Sequence, residues 1–277
     1  MTLLAVHAAG VGALPVDRPA VHADDEGFLR GRAVFETLRV YDGRPFRLEA
    51  HLERLRRSAS LLGLPEPDGA SLAVAGTEAI RDGGERDAVL RFLWTPGREG
   101  MGPPTGLALV STLPPGLEEL RARGLRLAVL SWAPGHRLAA TKSTSYAENL
   151  AAQDEAQQRG CDDALLVSAD AVVLEAPTAN VWWREGNRLL TPSLEQPILA
   201  GVTRGAIWEL APEAGFIPEE GVFRLERAAG ADELFLSSSV REVMPVVSLD
   251  GSPVGGGRPG DAAGALQRAL RACATAA

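Results

Sequence analysis

The sequence is poor in the side chains that most often build covalent or metal frameworks. Cysteine occurs only twice in 277 residues, at Cys161 and Cys273, so a disulfide framework is excluded and a cytoplasmic location is expected. The four histidines are scattered along the chain and show no metal-ligand spacing, among themselves or with the cysteines. We therefore predict no metal site.

Long apolar runs and net positive charge are also missing. No window of 18 or more apolar residues occurs, so no membrane span is predicted. The apolar N-terminal stretch has no lysine or arginine before Arg18; it is a poor signal peptide and is expected to form a pair of strands. A net charge of -8 argues against a nucleic-acid partner. The glycine-rich phosphate loop of nucleotide-binding proteins and the G-x-S-x-G motif of serine hydrolases do not occur.

Lysine is the scarcest charged residue. Of the 28 basic residues, 27 are arginine, and Lys142 is the only lysine. Arginine stays protonated, whereas lysine can lose its proton and attack a carbonyl carbon. Lys142 is therefore either the one position where amine chemistry is required or a surface residue spared by a composition bias.

The hydrophobic pattern predicts a mixed chain in which strands are grouped with some helices, which is typical of the α+β class. In the first half we predict strands at 33–40, 88–94 and 106–111 and a helix at 47–62, followed by a Pro/Gly break at 112–118. In the second half we predict strands at 125–131 and 233–238, short strands within 163–191 (DALLVSA, VVLEA, ANVWW and RLLT), and helices at 146–159, at 203–213 and from Gly260 onward.

Several polar positions fit one kind of chemistry. Small hydroxyl residues and Tyr146 follow Lys142, and Glu175 follows an apolar run. A glycine turn at 199–204 leads into a helix, whose first N–H groups can bind an anion, and a serine run at 237–239 ends a strand. Pyridoxal phosphate (PLP) needs a lysine for its aldehyde, a partner for its pyridine nitrogen and a phosphate cradle, which Arg54 would complete. Each position also has a plain structural interpretation as a solvated turn, a helix cap or a surface side chain.

Taken in order, these segments resemble the class IV aminotransferases, the fold-type IV PLP enzymes. The resemblance lies in GFLRGRAVFETLRVYDGRPFRLEAHLERL (27–55), TKSTSYAENLAAQDEAQQRGCDDALLVSADAVVLEAPTANVWW (141–183), LLTPSLEQPILAGVTR (189–204) and ADELFLSSSVREVMPV (231–246). It spans about residues 27 to 260. It implies a two-domain α+β homodimer with a small N-terminal α/β domain at 1–113, a linker at 114–118 and a larger C-terminal pseudo-barrel domain at 119–277.

The resemblance also implies roles for individual residues. Lys142 would form the Schiff base to PLP, Glu175 would pair with the pyridine nitrogen and Arg54 would hold the phosphate. The remaining cofactor-binding positions would be Tyr146, Val202, Thr203, Ser238 and Ser239. The substrate positions would be Phe35, Arg39 and, as a candidate for the substrate carboxylate, Arg98.

The expected reaction is transfer of an amino group between a small amine or amino acid and a 2-keto acid, with D-amino acids or (R)-amines favoured. Phe35-Glu36-Thr37, and a tyrosine four rather than five positions after Lys142, argue against a standard branched-chain amino-acid transaminase. Phe35-Glu36-Thr37 and Ser143-Thr144-Ser145-Tyr146 also resemble 4-amino-4-deoxychorismate lyases, which release pyruvate and 4-aminobenzoate, and this is the main alternative. Branched-chain transamination is the second alternative, and a catalytically inactive PLP-fold dimer is a third.

Overall fold

The computed structural model describes residues 1–98, 102–133 and 138–276, and the chain forms two compact units. One unit comprises Met1–Pro115 and Ala140–Tyr146, and the other comprises Gly116–Ala139 and Ala147–Ala277. Each unit combines a sheet with helices, so the predicted α+β class is confirmed. The linear domain boundaries at 1–113, 114–118 and 119–277 stay a prediction.

The first unit is built on one antiparallel sheet. Its described residues form the strands β1 (Leu3–Ala8), β2 (Gly12–Leu14), β3 (Val34–Tyr41), β4 (Arg44–Pro45), β5 (Ala88–Thr95) and β6 (Thr105–Ser111), and the helices α1 (Glu26–Arg30), α2 (Leu48–Leu61) and α3 (Gly69–Gly83). The strand order is β2-β1-β6-β5-β3-β4. The expected N-terminal strand pair is β1–β2, and the strands predicted at 33–40, 88–94 and 106–111 are confirmed as β3, β5 and β6.

Burial follows the predicted periodicity. On β3 the even-numbered positions Val34, Glu36 and Leu38 are fully buried, because alternate residues of a strand point to one face. Helix α2, predicted at 47–62, packs against β3 through an apolar stripe in which Leu52 and Leu55 are buried. Glu36 lies among these apolar residues, so the core of this unit contains a charged side chain.

The second unit has its own sheet and helices. Its described residues form the strands β7 (Leu125–Ser131), β8 (Asp163–Val167), β9 (Asn180–Glu185), β10 (Arg188–Pro192), β11 (Ile217–Gly221), β12 (Glu233–Ser238), β13 (Glu242–Leu249) and β14 (Ser252–Pro253), and the helices α4 (Leu117–Arg123), α5 (Ala147–Gln158), α6 (Val202–Leu210), α7 (Leu225–Ala229) and α8 (Asp261–Ala276). The strand order is β11-β10-β9-β12-β13-β7-β8, and β14 pairs with β13.

Two predicted elements of this unit differ from the structure. Residues 172–176 do not form a continuous strand and make only isolated bridges, such as Val167 with Val173. Ala171 before them has a φ of 58°, and Pro177 after them lacks an N–H group, so the ladder cannot extend in either direction. The helix predicted at 203–213 ends at Leu210, because Pro212 cannot continue it.

Across the described part of the chain, we find no helix with the length and apolar character needed to cross a membrane.

Candidate active site

The Lys142 segment lies along the edge of β3 within the first unit. The Phe35 N–H donates to the Lys142 carbonyl oxygen at 3.0 Å, and the Thr144 N–H donates to the Ala33 carbonyl oxygen at 2.9 Å. Val34 and Ser143 form an antiparallel bridge between these two bonds. The start of β3 is therefore paired on both edges, with β5 on one side and the lysine segment on the other.

The amine of Lys142 lies among aromatic rings. Its Nζ is 4.5 Å from the centroid of the Phe35 ring and 5.9 Å from that of Tyr146. The two rings meet edge to face, with centroids 5.4 Å apart and an angle of 81° between their planes. The predicted residues Lys142, Tyr146 and Phe35 are thus brought together, with two rings restricting the volume that the amine can occupy.

The face of β3 that carries Phe35 also carries cationic side chains. Arg39 lies on this face, is only 8% exposed, and its guanidinium carbon is 5.1 Å from the centroid of the Tyr41 ring. Arg91 on β5 is opposite Thr37, and its guanidinium carbon is 5.8 Å from the Phe35 centroid. Sequence reasoning missed Arg91, although a single arginine inside the apolar run AVLRFLW was a signal for it.

Arg54 lies on α2 and is almost completely buried, with 5% of its surface exposed. Its Nε and Nη2 donate to the two carboxylate oxygens of Glu36 at 2.8 and 2.6 Å. His51 Nδ1 lies 2.6 Å from Glu36 Oε2. Arg54 is therefore not a surface helix arginine, and sequence reasoning missed its two buried partners.

The charges of this cluster follow from its geometry. Burial alone would raise the pKa of Glu36, but Arg54 and His51 outweigh it and hold that pKa at about 2. Burial lowers the pKa of His51 from its ordinary value of 6.5, and contact with Glu36 opposes this only in part. At neutral pH Glu36 is ionised and His51 is neutral, so His51 Nδ1 must donate, because a carboxylate only accepts.

Arg98 has a different environment. It lies after β5 and forms an ion pair with Asp24, with Nε 2.9 and 2.8 Å from the two carboxylate oxygens. The Asp24 carboxylate raises the pKa of Arg98 further. Together with His22 and Thr105, Arg98 lines a cavity of about 370 Å³. The structure thus brings Arg98 to Asp24, and a role toward the substrate stays a prediction.

Glu175 is held in the second unit by N–H donors. Its Oε2 accepts from Asn180 Nδ2 at 3.1 Å, and both of its oxygens lie 3.2 Å from the Leu199 N–H. Asn180 Nδ2 also donates to the Leu199 carbonyl oxygen at 2.9 Å. The carboxylate is half-buried, and its hydrogen bonds fix its orientation. A carboxylate held in this way can accept a hydrogen bond from a protonated ring nitrogen in one defined direction.

The glycine turn at 199–204 leads into α6 as predicted. Gly201 caps the helix without any side-chain hydrogen bond to it, and Thr203 in its first turn is buried. The first N–H groups of a helix, with its dipole, attract an anion. Because Leu199 contacts Glu175, the same turn connects the predicted ring partner to the predicted anion-binding residues Val202 and Thr203.

The serine run ends β12 close to the same residues. Ser237 is paired with Asn180 on β9, and its Oγ accepts a hydrogen bond from Trp182 Nε1 at 3.1 Å. Ser238 closes the strand opposite Glu242, and both Ser238 and Ser239 are half-buried. Two hydroxyl groups are therefore positioned at the end of the strand that contacts Asn180.

Each unit supplies functional groups of the types that PLP binding requires. The first unit supplies a primary amine against aromatic rings and a buried arginine with a fixed guanidinium. The second supplies a carboxylate oriented by N–H donors and a helix whose N-terminus has no side-chain cap. An aldehyde, a basic ring nitrogen and a phosphate require groups of these types.

Comparison with known proteins assigns the family. The family profile described as amino-transferase class IV matches residues 33–249. The chain belongs to the class IV aminotransferases. PLP is the cofactor of this family, so the predicted family, enzyme class and cofactor are confirmed.

Individual relatives differ in their activities. The chain is 35% identical over 252 residues to the bifunctional aminodeoxychorismate lyase / D-amino acid transaminase of Mycobacterium tuberculosis, covering 84% of this chain and 87% of that protein. It is 31% identical over 245 residues to a putative branched-chain-amino-acid aminotransferase of Methanocaldococcus jannaschii, covering 86% and 85% of the two.

A solved structure is similar over nearly the whole chain. A hypothetical aminotransferase from Mycobacterium tuberculosis in its PLP-bound form superposes with a TM-score of 0.92 at 32% identity, covering 98% of this chain and 99% of that chain. A fold IV-transaminase from Curtobacterium pusillum superposes with a TM-score of 0.89 at 35% identity, covering 98% of this chain and 97% of that chain. These two matches confirm the predicted fold-type IV architecture.

Proposed function

We propose that the protein is a PLP-dependent transaminase that transfers an amino group between a D-amino acid or an (R)-amine and a 2-keto acid. The observation that carries this proposal is Lys142, the one lysine of the chain, whose backbone pairs with β3 and whose Nζ lies 4.5 Å from the Phe35 ring. The similarity to a relative named in part as a D-amino acid transaminase supports the choice of donor.

Each predicted residue has a defined task in this proposal. PLP, when bound, supplies an aldehyde that condenses with amines and a ring that withdraws electrons from the bonds being broken. Lys142 would provide the amine that binds the PLP aldehyde and, as a neutral amine, the base that moves the α-proton of the substrate. Glu175 would accept a hydrogen bond from the protonated pyridine nitrogen. The phosphate would be held by Arg54, Val202, Thr203, Ser238 and Ser239.

The substrate contacts are also proposed. Tyr146, which lies near Lys142 Nζ, would contact the ring of PLP, and Phe35 would contact the substrate side chain. Arg39, with Arg91 on the same face, supplies positive charge for a carboxylate, as expected for an amino-acid or keto-acid substrate. Arg98 is kept as an additional candidate for this contact. A homodimer in the cytoplasm completes the proposal, and size-exclusion chromatography with light scattering would test the dimer.

The test replaces Lys142 by alanine and, as a matched control, by arginine. Lys142→Arg keeps a positive charge but cannot perform amine chemistry. We expect both variants to melt like the wild type, to lose the absorption band near the visible edge that PLP shows when it is bound to a lysine, and to lose turnover. Normal turnover in either variant would contradict the proposal.

Aminodeoxychorismate lyase activity is the second candidate, favoured by the other half of the same relative's name. The two reactions differ in their products. A panel of D-amino acids, L-amino acids and (R)-1-phenylethylamine with pyruvate or 2-oxoglutarate measures transamination, and pyruvate release from aminodeoxychorismate measures the lyase. Exchange with L-branched-chain donors alone would favour the branched-chain alternative instead.

A further inference from the structure

The buried cluster of Glu36, His51 and Arg54 lies next to the lysine segment. On α2, His51, Arg54 and Ser58 follow each other at steps of three and four residues and so share one helix face, and all three are buried. Ser58 Oγ accepts a hydrogen bond from the Lys142 N–H at 3.1 Å. One face of α2 therefore contacts both Glu36 and the backbone of Lys142.

Strand β3 makes the second connection. Phe35 bonds the Lys142 carbonyl oxygen through its N–H, and its ring lies beside Nζ. The next residue, Glu36, points to the opposite face and holds Arg54 through two hydrogen bonds. Consecutive residues of one strand thus fix the positions of Lys142 and Arg54, and a strand within a sheet is rigid.

We propose that Glu36 is a positioning residue, which fixes the guanidinium of Arg54 relative to Lys142 so that the phosphate of PLP is bound at a set distance from the Lys142 amine. This rests on the proposed function, in which Arg54 holds the phosphate. Glu36 itself does not touch the cofactor in this proposal. Its effect is one of orientation, since two parallel hydrogen bonds restrict a guanidinium in a way that a single charge does not.

Glu36 could affect phosphate binding by orienting Arg54 or by changing the net charge of the cluster, and these two effects predict opposite results for Glu36→Gln. Glu36 is ionised and His51 is neutral, so Glu36 cancels the positive charge of Arg54 within the cluster. If charge alone mattered, removing the carboxylate by Glu36→Gln would strengthen the binding of a phosphate dianion. If orientation matters, the same substitution weakens it.

The experiment compares PLP with pyridoxal, which has the aldehyde and the ring but no phosphate. The dissociation constants of both are measured on the full chain after removal of its cofactor, by the change in absorbance on binding. For Glu36→Gln we expect PLP to bind about ten- to a hundredfold more weakly, as for loss of charge-assisted hydrogen bonds, and pyridoxal to bind as in the wild type. Glu53→Gln is the matched control, because Glu53 lies on α2 and pairs with Arg56 at the exposed surface.

Tighter PLP binding by Glu36→Gln, or an equal loss for PLP and pyridoxal, would overturn the proposal. If Glu36→Gln does not fold, Glu36→Asp takes its place. Aspartate keeps the charge but is too short to form both hydrogen bonds to Arg54. Unchanged PLP binding by Glu36→Asp would contradict the proposal. Arg54→Gln distinguishes a failure of the proposed role of Arg54 from a failure of the proposed role of Glu36. If it leaves the preference for PLP over pyridoxal intact, the proposed role of Arg54 fails; if it removes the preference while Glu36→Gln does not, only the role of Glu36 fails.

Discussion

At the scale of single residues, Asn180 connects the groups that surround Glu175. Its Nδ2 donates both to the Glu175 carboxylate and to the Leu199 carbonyl oxygen, and its Oδ1 faces Gly201 so closely that a Cβ there would overlap it. The backbone of Gly201 has a φ of -66°, which any residue can adopt. Glycine is therefore required at 201 by space and not by backbone conformation.

Gly201→Ala is expected to lower the free energy of unfolding by about 1–3 kcal/mol, the usual cost of overpacking. Asn180 cannot move away without breaking its bonds to Glu175 and Leu199, so we also expect weaker PLP binding. Denaturant unfolding and a PLP titration measure the two effects.

Gly205→Ala is the matched control on the same helix. A Cβ at Gly205 meets no atom within 4 Å, and alanine is the better helix former by roughly 0.5–1 kcal/mol. This variant should be slightly more stable than the wild type and should bind PLP normally. Equal destabilisation by both substitutions would show that the fit against Asn180 is not the cause.

At the scale of elements, the contact of Glu36 on β3 with Arg54 and His51 on α2 makes the free energy of unfolding depend on pH. Glu36 has a pKa of about 2 in the folded chain against an ordinary value of 4.5, which corresponds to about 3 kcal/mol of stability at neutral pH. This contribution is fully present above pH 4.5 and is lost as the pH falls toward 2. The pKa of His51 in the folded chain lies below its ordinary value of 6.5. His51 is therefore protonated in the unfolded chain at a higher pH than in the folded chain, and some stability is lost as the pH falls below 6.5.

We expect Glu36→Gln to be less stable than the wild type at neutral pH and to show a flatter loss of stability between pH 4.5 and 2, because one proton fewer is taken up on unfolding. Denaturant midpoints measured across this range test the expectation. Glu53→Gln should follow the wild-type curve, since its carboxylate is exposed. Parallel curves for Glu36→Gln and wild type would refute the assigned pKa.

The elements also show how far sequence reasoning reaches. Strand β3 and helix α2 were predictable, because the alternation of Val34 and Leu38 and the spacing of Leu52 and Leu55 each specify one buried face. The same alternation places Glu36 on the buried face, which requires a cationic partner. Choosing Arg54 as that partner needs the packing of α2 on β3, a contact that no local pattern encodes.

Other parts of the fold lacked a local signal. Strand β13 contains Pro245, which is paired with Phe235 although proline usually argues against a strand inside a sheet. The pairing of 142–144 with the start of β3 uses backbone groups, which are the same in every residue, across more than a hundred positions of sequence. The composition singled out Lys142 and the family resemblance assigned its role, whereas the contacts that fix it came only from the structure.

At the scale of the whole molecule, the use of arginine in 27 of 28 basic positions leaves two primary amines in the chain, Lys142 and the N-terminal amine of Met1. Borohydride reduction makes the bond between an amine and a bound aldehyde permanent. We expect the reduced protein to carry one pyridoxyl group per chain, at Lys142, because only this amine lies against the rings of Phe35 and Tyr146.

The single lysine makes this measurable by digestion as well as by mass. A protease that cuts after lysine should split the untreated, unfolded chain once, into fragments 1–142 and 143–277, and should leave the reduced adduct intact, since a modified lysine is no longer recognised. Lys142→Arg should neither be cut nor gain mass. An adduct found on Met1, or reduction that leaves the chain fully cleavable, would mean that the one lysine kept by an arginine-rich protein is not kept for its amine.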